Sequence, residues 1–174
     1  MIKFKAGDAT NPDVIDGFNI ILHCVNDGGD DGIGGIMGGG IAYSIKNKWP
    51  IVYEKYRLLF DLPSKERVTA QGQIQVVAVG KNLFVANLFG QSGIGDFKGF
   101  PAVRYDAIEE GLIRLKDRVG KRFDHRPVVI HTCRLGSGLA GGSWKRVEEI
   151  FNRVFKDSDI EIVVYDYPGS TFNQ

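Results

Sequence analysis

Apolar residues along the chain follow two rhythms. Short runs at 2–5, 19–25, 73–79, 83–89, 128–133 and 160–165 predict strands. Three of them, NIILHCV, VVIHTC and IEIVVY, are too continuously apolar to leave one face in water, so they predict strands covered on both sides. Between the runs, apolar residues return at helical spacing. Ile41, Ile45 and Trp49 make one stripe; Val103, Ala107, Leu112, Leu115 and Val119 make a second; Trp144, Val147, Ile150 and Val154 make a third. Pro50 predicts a break, with a second short helix over 51–60. Strands interleaved with helices predict an α/β chain of α/β/α layers around a largely parallel sheet. No linker-like stretch and no internal repeat divides residues 1–174, so a single domain is expected.

Length and composition narrow the picture. A chain of 174 residues hides about 70% of the surface it exposes unfolded, so it needs neither disulfides nor a metal to hold a core. Lys plus Arg is 22 and Asp plus Glu is 21, a formal charge of +1, which supplies no global field for nucleic acid or anionic lipid. Basic residues in NKWPIVYEKYR and KDRVGKRFDHR alternate with acids and read as solvated faces, so a nucleic-acid partner is not expected. Cys24 and Cys133 lack metal-ligand spacing and sit in apolar runs, as reduced core thiols do. The first residues, MIKFKAGDAT, lack the apolar core of a signal peptide, and no window approaches a membrane span. A soluble, cytoplasmic, monomeric chain with no membrane partner, no metal and no cofactor is the expectation.

The unusual number is glycine, 23 of 174 residues, about twice the ordinary share of about 7%. It gathers in three segments at strand ends: 27–42 (DGGDDGIGGIMGGGIA), 90–99 (GQSGIGDFKG) and 134–144 (RLGSGLAGGSW). Ligands of open α/β sheets bind beyond the carboxyl ends of strands, so the three loops are expected on one rim. Glycine lets backbone amides converge on an anion, and a helix N-terminus adds partial positive charge. Gly38 to Ile41 open one helix and Gly141 to Ser143 another, with Ser143 as a candidate N-cap. A diphosphate could be held there by backbone alone. Neither GxxxxGK[ST] nor a GxGxxG after the first strand is present, which disfavours a P-loop NTPase and a Rossmann dehydrogenase.

The ordered set GDAT at 7–10, LHCVN at 22–26, MGGGIAYSI at 37–45, RLGSGLAGGSW at 134–144 and VVYDY at 163–167 resembles the macrodomain, the ADP-ribose-binding module, over nearly the whole chain. HC in the second strand, GGGIA, GxGL and the closing VY resemble the branch of terminal ADP-ribose protein glycohydrolases. GGGIAY followed by a Pro, with the later SG-x-x-G-x-x-W-K, resembles the yeast-type ADP-ribose 1''-phosphate phosphatases. The resemblance implies a three-layer α/β/α macrodomain with a mixed, largely parallel central sheet of about six strands.

Residue by residue, the resemblance implies that Asp8 accepts from the adenine amino group, with the Ala9 amide on the ring. Gly38, Gly39, Gly40 and Ile41 contact the diphosphate and distal ribose. Gly136, Ser137, Gly138, Leu139 and Ala140 close over the phosphates from the other side. Asn26 bonds the distal ribose hydroxyls, and Tyr165 or Tyr167 packs near adenine. Read without the family, Asp8 is equally a turn or cap aspartate, Asn26 a turn residue, and the tyrosines core or surface aromatics.

For activity, the glycohydrolase branch uses a Lys after the fourth strand and an Asp in the GxGL loop. Gln91 and Ala140 stand at those places, and neither side chain is a nucleophile or a proton carrier. The phosphatase resemblance implies His23, Asn26 and Asp27 as the catalytic set, a neutral imidazole suiting proton transfer near pH 7. Read alone, His23 is more often a core histidine and Asp27 a loop aspartate. Asp30 and Asp31 would repel a phosphate and are set aside. The leading expectation is a hydrolase removing the 1''-phosphate from ADP-ribose 1''-phosphate. The alternatives are a non-catalytic reader of ADP-ribose or of an ADP-ribosylated protein, and a hydrolase that removes ADP-ribose from protein or acyl groups from ADP-ribose.

Overall fold

A computed structural model describes residues 2–28, 35–61, 70–93, 101–122 and 126–170. Among them run six strands: β1 (Ile2–Ala6), β2 (Phe18–Asn26), β3 (Ile74–Ala78), β4 (Leu83–Gln91), β5 (Val128–Thr132) and β6 (Glu161–Asp166). Four helices join them: α1 (Gly40–Lys48), α2 (Pro50–Leu58), α3 (Tyr105–Arg122) and α4 (Trp144–Val154). The sheet order is β1-β6-β5-β2-β4-β3. Every neighbouring pair is parallel except β3 with β4.

The centre of the sheet explains the unbroken apolar runs. β2 lies between β4 and β5, and its alternate side chains go to opposite layers. Ile20 and Leu22 join a cluster with Leu112 and Leu115 of α3 and Val147 and Phe151 of α4. Ile21 and Val25 join a second cluster with Ile45 of α1 and Val52 and Tyr56 of α2. Each such buried aliphatic side chain contributes about 1.5–3 kcal/mol. The α4 stripe holds as expected, with Trp144, Val147, Ile150 and Val154 buried, and Phe151 is buried beside them. Pro50 occupies the first turn of α2, where its missing N–H costs nothing.

Strand ends differ from the pattern-based expectation in one useful place. β2 continues through Asn26, which pairs with Gln91 after a register shift at Val25/Asn26. Such an irregularity re-aims the residue after it. The reason lies in the partner strand, whose own continuation to Gln91 was invisible in its composition.

Two buried polar chains cross the face of the sheet that carries α1 and α2. In the first, His23 Nε2 meets Asn87 Oδ1 at 2.6 Å, Asn87 Nδ2 donates to Gln75 Oε1 at 2.9 Å, and Gln75 donates to the Lys55 carbonyl at 3.0 Å. In the second, His131 lies between Asn19 Oδ1 and the Tyr165 hydroxyl, each at 3.2 Å. Carbonyl oxygens only accept, so each histidine carries its proton on Nε2. Burial pushes both imidazoles down to about 4, against an ordinary value of 6.5. Both cysteines are free thiols; burial raises Cys24 well above its ordinary range and Cys133 to about 11. No helix among the described residues is long and apolar enough to cross a membrane.

These histidines set an acid dependence. Between pH 6.5 and 4 the unfolded chain protonates His23 and His131 while the native state keeps them neutral. Unfolding therefore takes up protons, and stability falls as pH falls, by about 1.4 kcal/mol per pH unit for each histidine. Urea unfolding at pH 6.5 and pH 5 should show this slope, and His23→Gln should make it shallower.

Candidate functional site

Parallel pairing brings the carboxyl ends of β1, β2, β4, β5 and β6 to one rim. The loops that follow them form the candidate site. The glycine-rich segments reach it in part: residues 29–34, including Asp30 and Asp31, and residues 94–100 lie outside the described residues.

After β2, Met37 takes a left-handed conformation (φ 46°) while its side chain is buried, and Gly40 follows at φ 54°. A non-glycine residue in that region is uncommon and clusters at functional sites. Gly39 stands at the N-cap of α1, whose first turn carries no acidic residue. Leu139, on the loop after β5, reaches across: its Cδ1 would lie 2.8 Å from a Cβ at Gly39. Leu139 is 73% exposed, so this contact bridges the two loops at the surface.

The loop after β5 is braced from within. Gly142 donates to the Gly136 carbonyl at 2.9 Å, Gly141 to Gly138 at 2.9 Å, and the Ser137 hydroxyl to Arg134 at 2.8 Å. Val103 fills the space beside Gly136 and Gly142, coming within 2.7 Å and 2.6 Å of where their Cβ atoms would be. Those two glycines are required by packing. The exposed tip is Gly138 and Leu139, while Ser137 and Ala140 are buried. Ser143 occupies the N-cap of α4, but its hydroxyl makes no cap bond; its amide donates to the Tyr105 hydroxyl at 2.8 Å. Arg134 fastens the loop to β6 through a forked ion pair with Asp166 at 2.6 and 2.9 Å, with its guanidinium over the rings of Phe4 and Trp144.

At the other end of the rim, Asp8 Oδ1 accepts from the Thr10 amide at 2.8 Å and the Thr10 hydroxyl at 2.9 Å. This is the aspartate turn that sequence reasoning offered beside the binding role, and it leaves Oδ2 outside both bonds. Ala9 is buried beside it. Gly7 donates to the Asp166 carbonyl at 3.0 Å, and Lys48 at the end of α1 donates to the Thr10 carbonyl at 2.6 Å. Tyr165 is only 4% exposed and lies beneath Gly7, its hydroxyl accepting from the Asp13 amide at 3.2 Å. It forms the floor of this end, whereas Tyr167 is exposed.

The three residues expected to carry chemistry part company. Asn26 and Asp27 stand together at the end of β2. Asn26 Oδ1 accepts from the Gly28 amide at 3.1 Å; Asp27 Oδ2 accepts from Gln71 Nε2 at 2.8 Å, and its amide donates to the Gln91 carbonyl at 3.1 Å. His23 is not brought to the rim: it is fully buried, its Nε2 is committed to Asn87, and its Nδ1 has no hydrogen-bond partner among the described residues. Gln91 donates its side-chain amide to Gly93 at 3.3 Å. Gln71 went unnoticed in the sequence, and Met37 figured only as the first residue of the MGGGIAYSI motif. The first is a lone polar residue far from Asp27 along the chain, and the second shows its role only in its backbone angle.

Among the described residues no group of three or more His, Cys, Asp or Glu side chains could hold a metal. A separate hollow of about 600 Å³ lies between β3 and α3, lined by Gln73, Ile74, Arg114, Asp117, Arg118 and Lys121. It is shaped by its own contacts, Arg114 with Glu110 and Arg118 with the Ile74 carbonyl.

No family model matches the chain. A Bacteroides thetaiotaomicron protein of unknown function is 32% identical with a TM-score of 0.82, covering 95% of this chain and 98% of its own. A macrodomain protein from Streptomyces coelicolor is also 32% identical, with a TM-score of 0.73, over 95% of this chain and 99% of its own. Mouse chromodomain-helicase-DNA-binding protein 1-like is 24% identical over 180 residues, 97% of this chain; the chain spans only 18% of that protein's length. Near one-third identity and a shared fold over the whole of the Streptomyces macrodomain establish that the chain belongs to the macrodomain family.

Proposed function

We propose that this rim binds ADP-ribose and that the chain removes the terminal phosphate from ADP-ribose 1''-phosphate. The observation that carries the binding reading is the meeting of the two glycine-rich loops, Leu139 against Gly39, directly above the start of α1. A diphosphate laid there faces the amides of Gly38 to Ile41 on one side and the tip Gly138 to Ala140 on the other. The helix N-terminus adds positive potential, with no carboxylate in its first turn to oppose it. At one end Asp8 Oδ2 accepts from the adenine amino group, a donor that suits an acceptor-only carboxylate, while Ala9 offers its amide to the ring. At the other end Asn26 bonds the distal ribose.

The chemical step falls to Asp27. Its Oδ2 is oriented by Gln71, which leaves a carboxylate beside the distal ribose to position and deprotonate a water. His23 keeps its core role in this reading. No bound cofactor is required.

A second reading, a reader of ADP-ribose on a modified protein, is favoured by one set of placements. Ala140 is buried, Gln91 is tied to Gly93, and His23 lies in the core, which leaves Asp27 as the proton carrier of the original set.

Calorimetry with ADP-ribose tests the binding claim. Asp8→Ala should weaken ADP-ribose about tenfold, the scale of one charge-assisted hydrogen bond. Gly39→Glu should abolish binding, because its side chain meets Leu139 and brings negative charge to the diphosphate. No heat and no thermal shift with millimolar ADP-ribose would end this reading.

Phosphate release from ADP-ribose 1''-phosphate separates enzyme from reader. Asp27→Ala should lower turnover by about 10²–10⁴ while ADP-ribose affinity stays within a few-fold. Release by the parent no faster than by Gly39→Glu would leave the reader.

A further inference from the structure

We propose that Tyr56 is a positioning residue that holds the distal-ribose half of the site in shape. Tyr56 belongs to α2 and is fully buried. Its hydroxyl donates to the Asn26 carbonyl at 2.8 Å and accepts from the Gly35 amide at 3.2 Å. One oxygen thus ties the last residue of β2 to the point where the chain returns toward Met37 and the α1 glycines. The bond at Asn26 lies directly beside Asp27.

Three further observations show that the arrangement is built. First, the register shift at Val25/Asn26 takes Asn26 out of the regular ladder, and the phenol supplies a partner for its carbonyl. Second, the ring is wedged between Phe60 at 5.1 Å and Phe89 at 5.9 Å, so the hydroxyl cannot swing away without disturbing the core. Third, Gly35 adopts φ 74°, and a Cβ there would come within 3.0 Å of the Phe60 ring, so only glycine brings its amide to the phenol. Burial raises the Tyr56 phenol well above its ordinary range, so the donor is present at every working pH.

The adenine end is fastened by different contacts, Gly7 to Asp166 and Lys48 to Thr10. Loss of the Tyr56 hydroxyl therefore acts on one half of the site. It should weaken ligands that carry the distal ribose and spare those that stop at the adenosine phosphate. This selectivity rests on the ADP-ribose reading; the tie between Asn26 and Gly35 does not.

The experiment is Tyr56→Phe, which keeps the ring and removes the oxygen. ADP-ribose should bind about tenfold more weakly while AMP stays within about twofold, since each broken bond carries roughly a kcal/mol. Without ligand, hydrogen exchange at the Gly35 amide should quicken about tenfold on the same scale. Phe89→Leu touches the same ring but neither hydrogen bond; it should lower Tm and leave the ADP-ribose to AMP ratio unchanged. If Tyr56→Phe does not fold, Gly35→Ala breaks the same contact from the other side and should shift the ratio alike. Unchanged exchange at Gly35, or equal losses for ADP-ribose and AMP, overturns the proposal. A parent protein that ignores ADP-ribose overturns the binding reading instead, and exchange at Gly35 then decides the role of Tyr56.

Discussion

The rest of the molecule depends on the parallel pairing of β2 with both β4 and β5. A parallel strand cannot be reached by a tight turn, so each pairing demands a crossover, and the crossovers place helices over both faces. Burial on both faces is what makes β2 apolar at Ile20, Ile21, Leu22 and Val25 alike. The same pairing aligns strand directions, which brings Asn26, Gln91 and the loop from Arg134 to one edge. Site and core are thus consequences of one hydrogen-bonding pattern.

A strand buried on both faces has no solvent in which to leave a polar side chain. Asn19, His23, Asn87 and His131 must therefore satisfy one another across the sheet: His23 meets Asn87, its register partner, and His131 reaches Asn19, which stands off register from it. His23 pairs with Asn87 because their Cα atoms are register partners. Its low basicity follows from that location and is a property of the core.

The layers, the helices and the strand-end position of the glycines were legible because period and composition are local properties. What stayed hidden depends on contacts between distant residues. The glycine excess has two physical origins that composition cannot separate. Gly39 and Gly40 open α1 at the rim, whereas Gly136 and Gly142 make room for Val103, and Gly90 sits against Cys24, Leu88 and Ile108. His23 looked chemical because the phosphatase resemblance implies it and an imidazole suits proton transfer, yet alternation and burial turn it into the core. Tyr56 carried no signal within the expected short helix over 51–60, since nothing near it in sequence announces a bond to Asn26 or Gly35.

The near-zero net charge takes on a meaning beside Arg134. A guanidinium close to a phosphate-sized loop would ordinarily be read as an anion clamp, but this one is forked onto Asp166 and lies over the rings of Phe4 and Trp144. Its charge is spent fastening the loop to β6. On the ADP-ribose reading, the diphosphate at the rim meets dipoles: backbone amides and the start of α1. Such holding works only when the amides are fixed before the ligand arrives, because freely moving dipoles must be ordered by the ligand itself. That requirement links the features that look unrelated in the chain. The brace within 136–142, the Leu139 contact on Gly39 and the Tyr56 tie between Asn26 and Gly35 each hold described backbone in place, and on the ADP-ribose reading that rigidity serves where charge otherwise would.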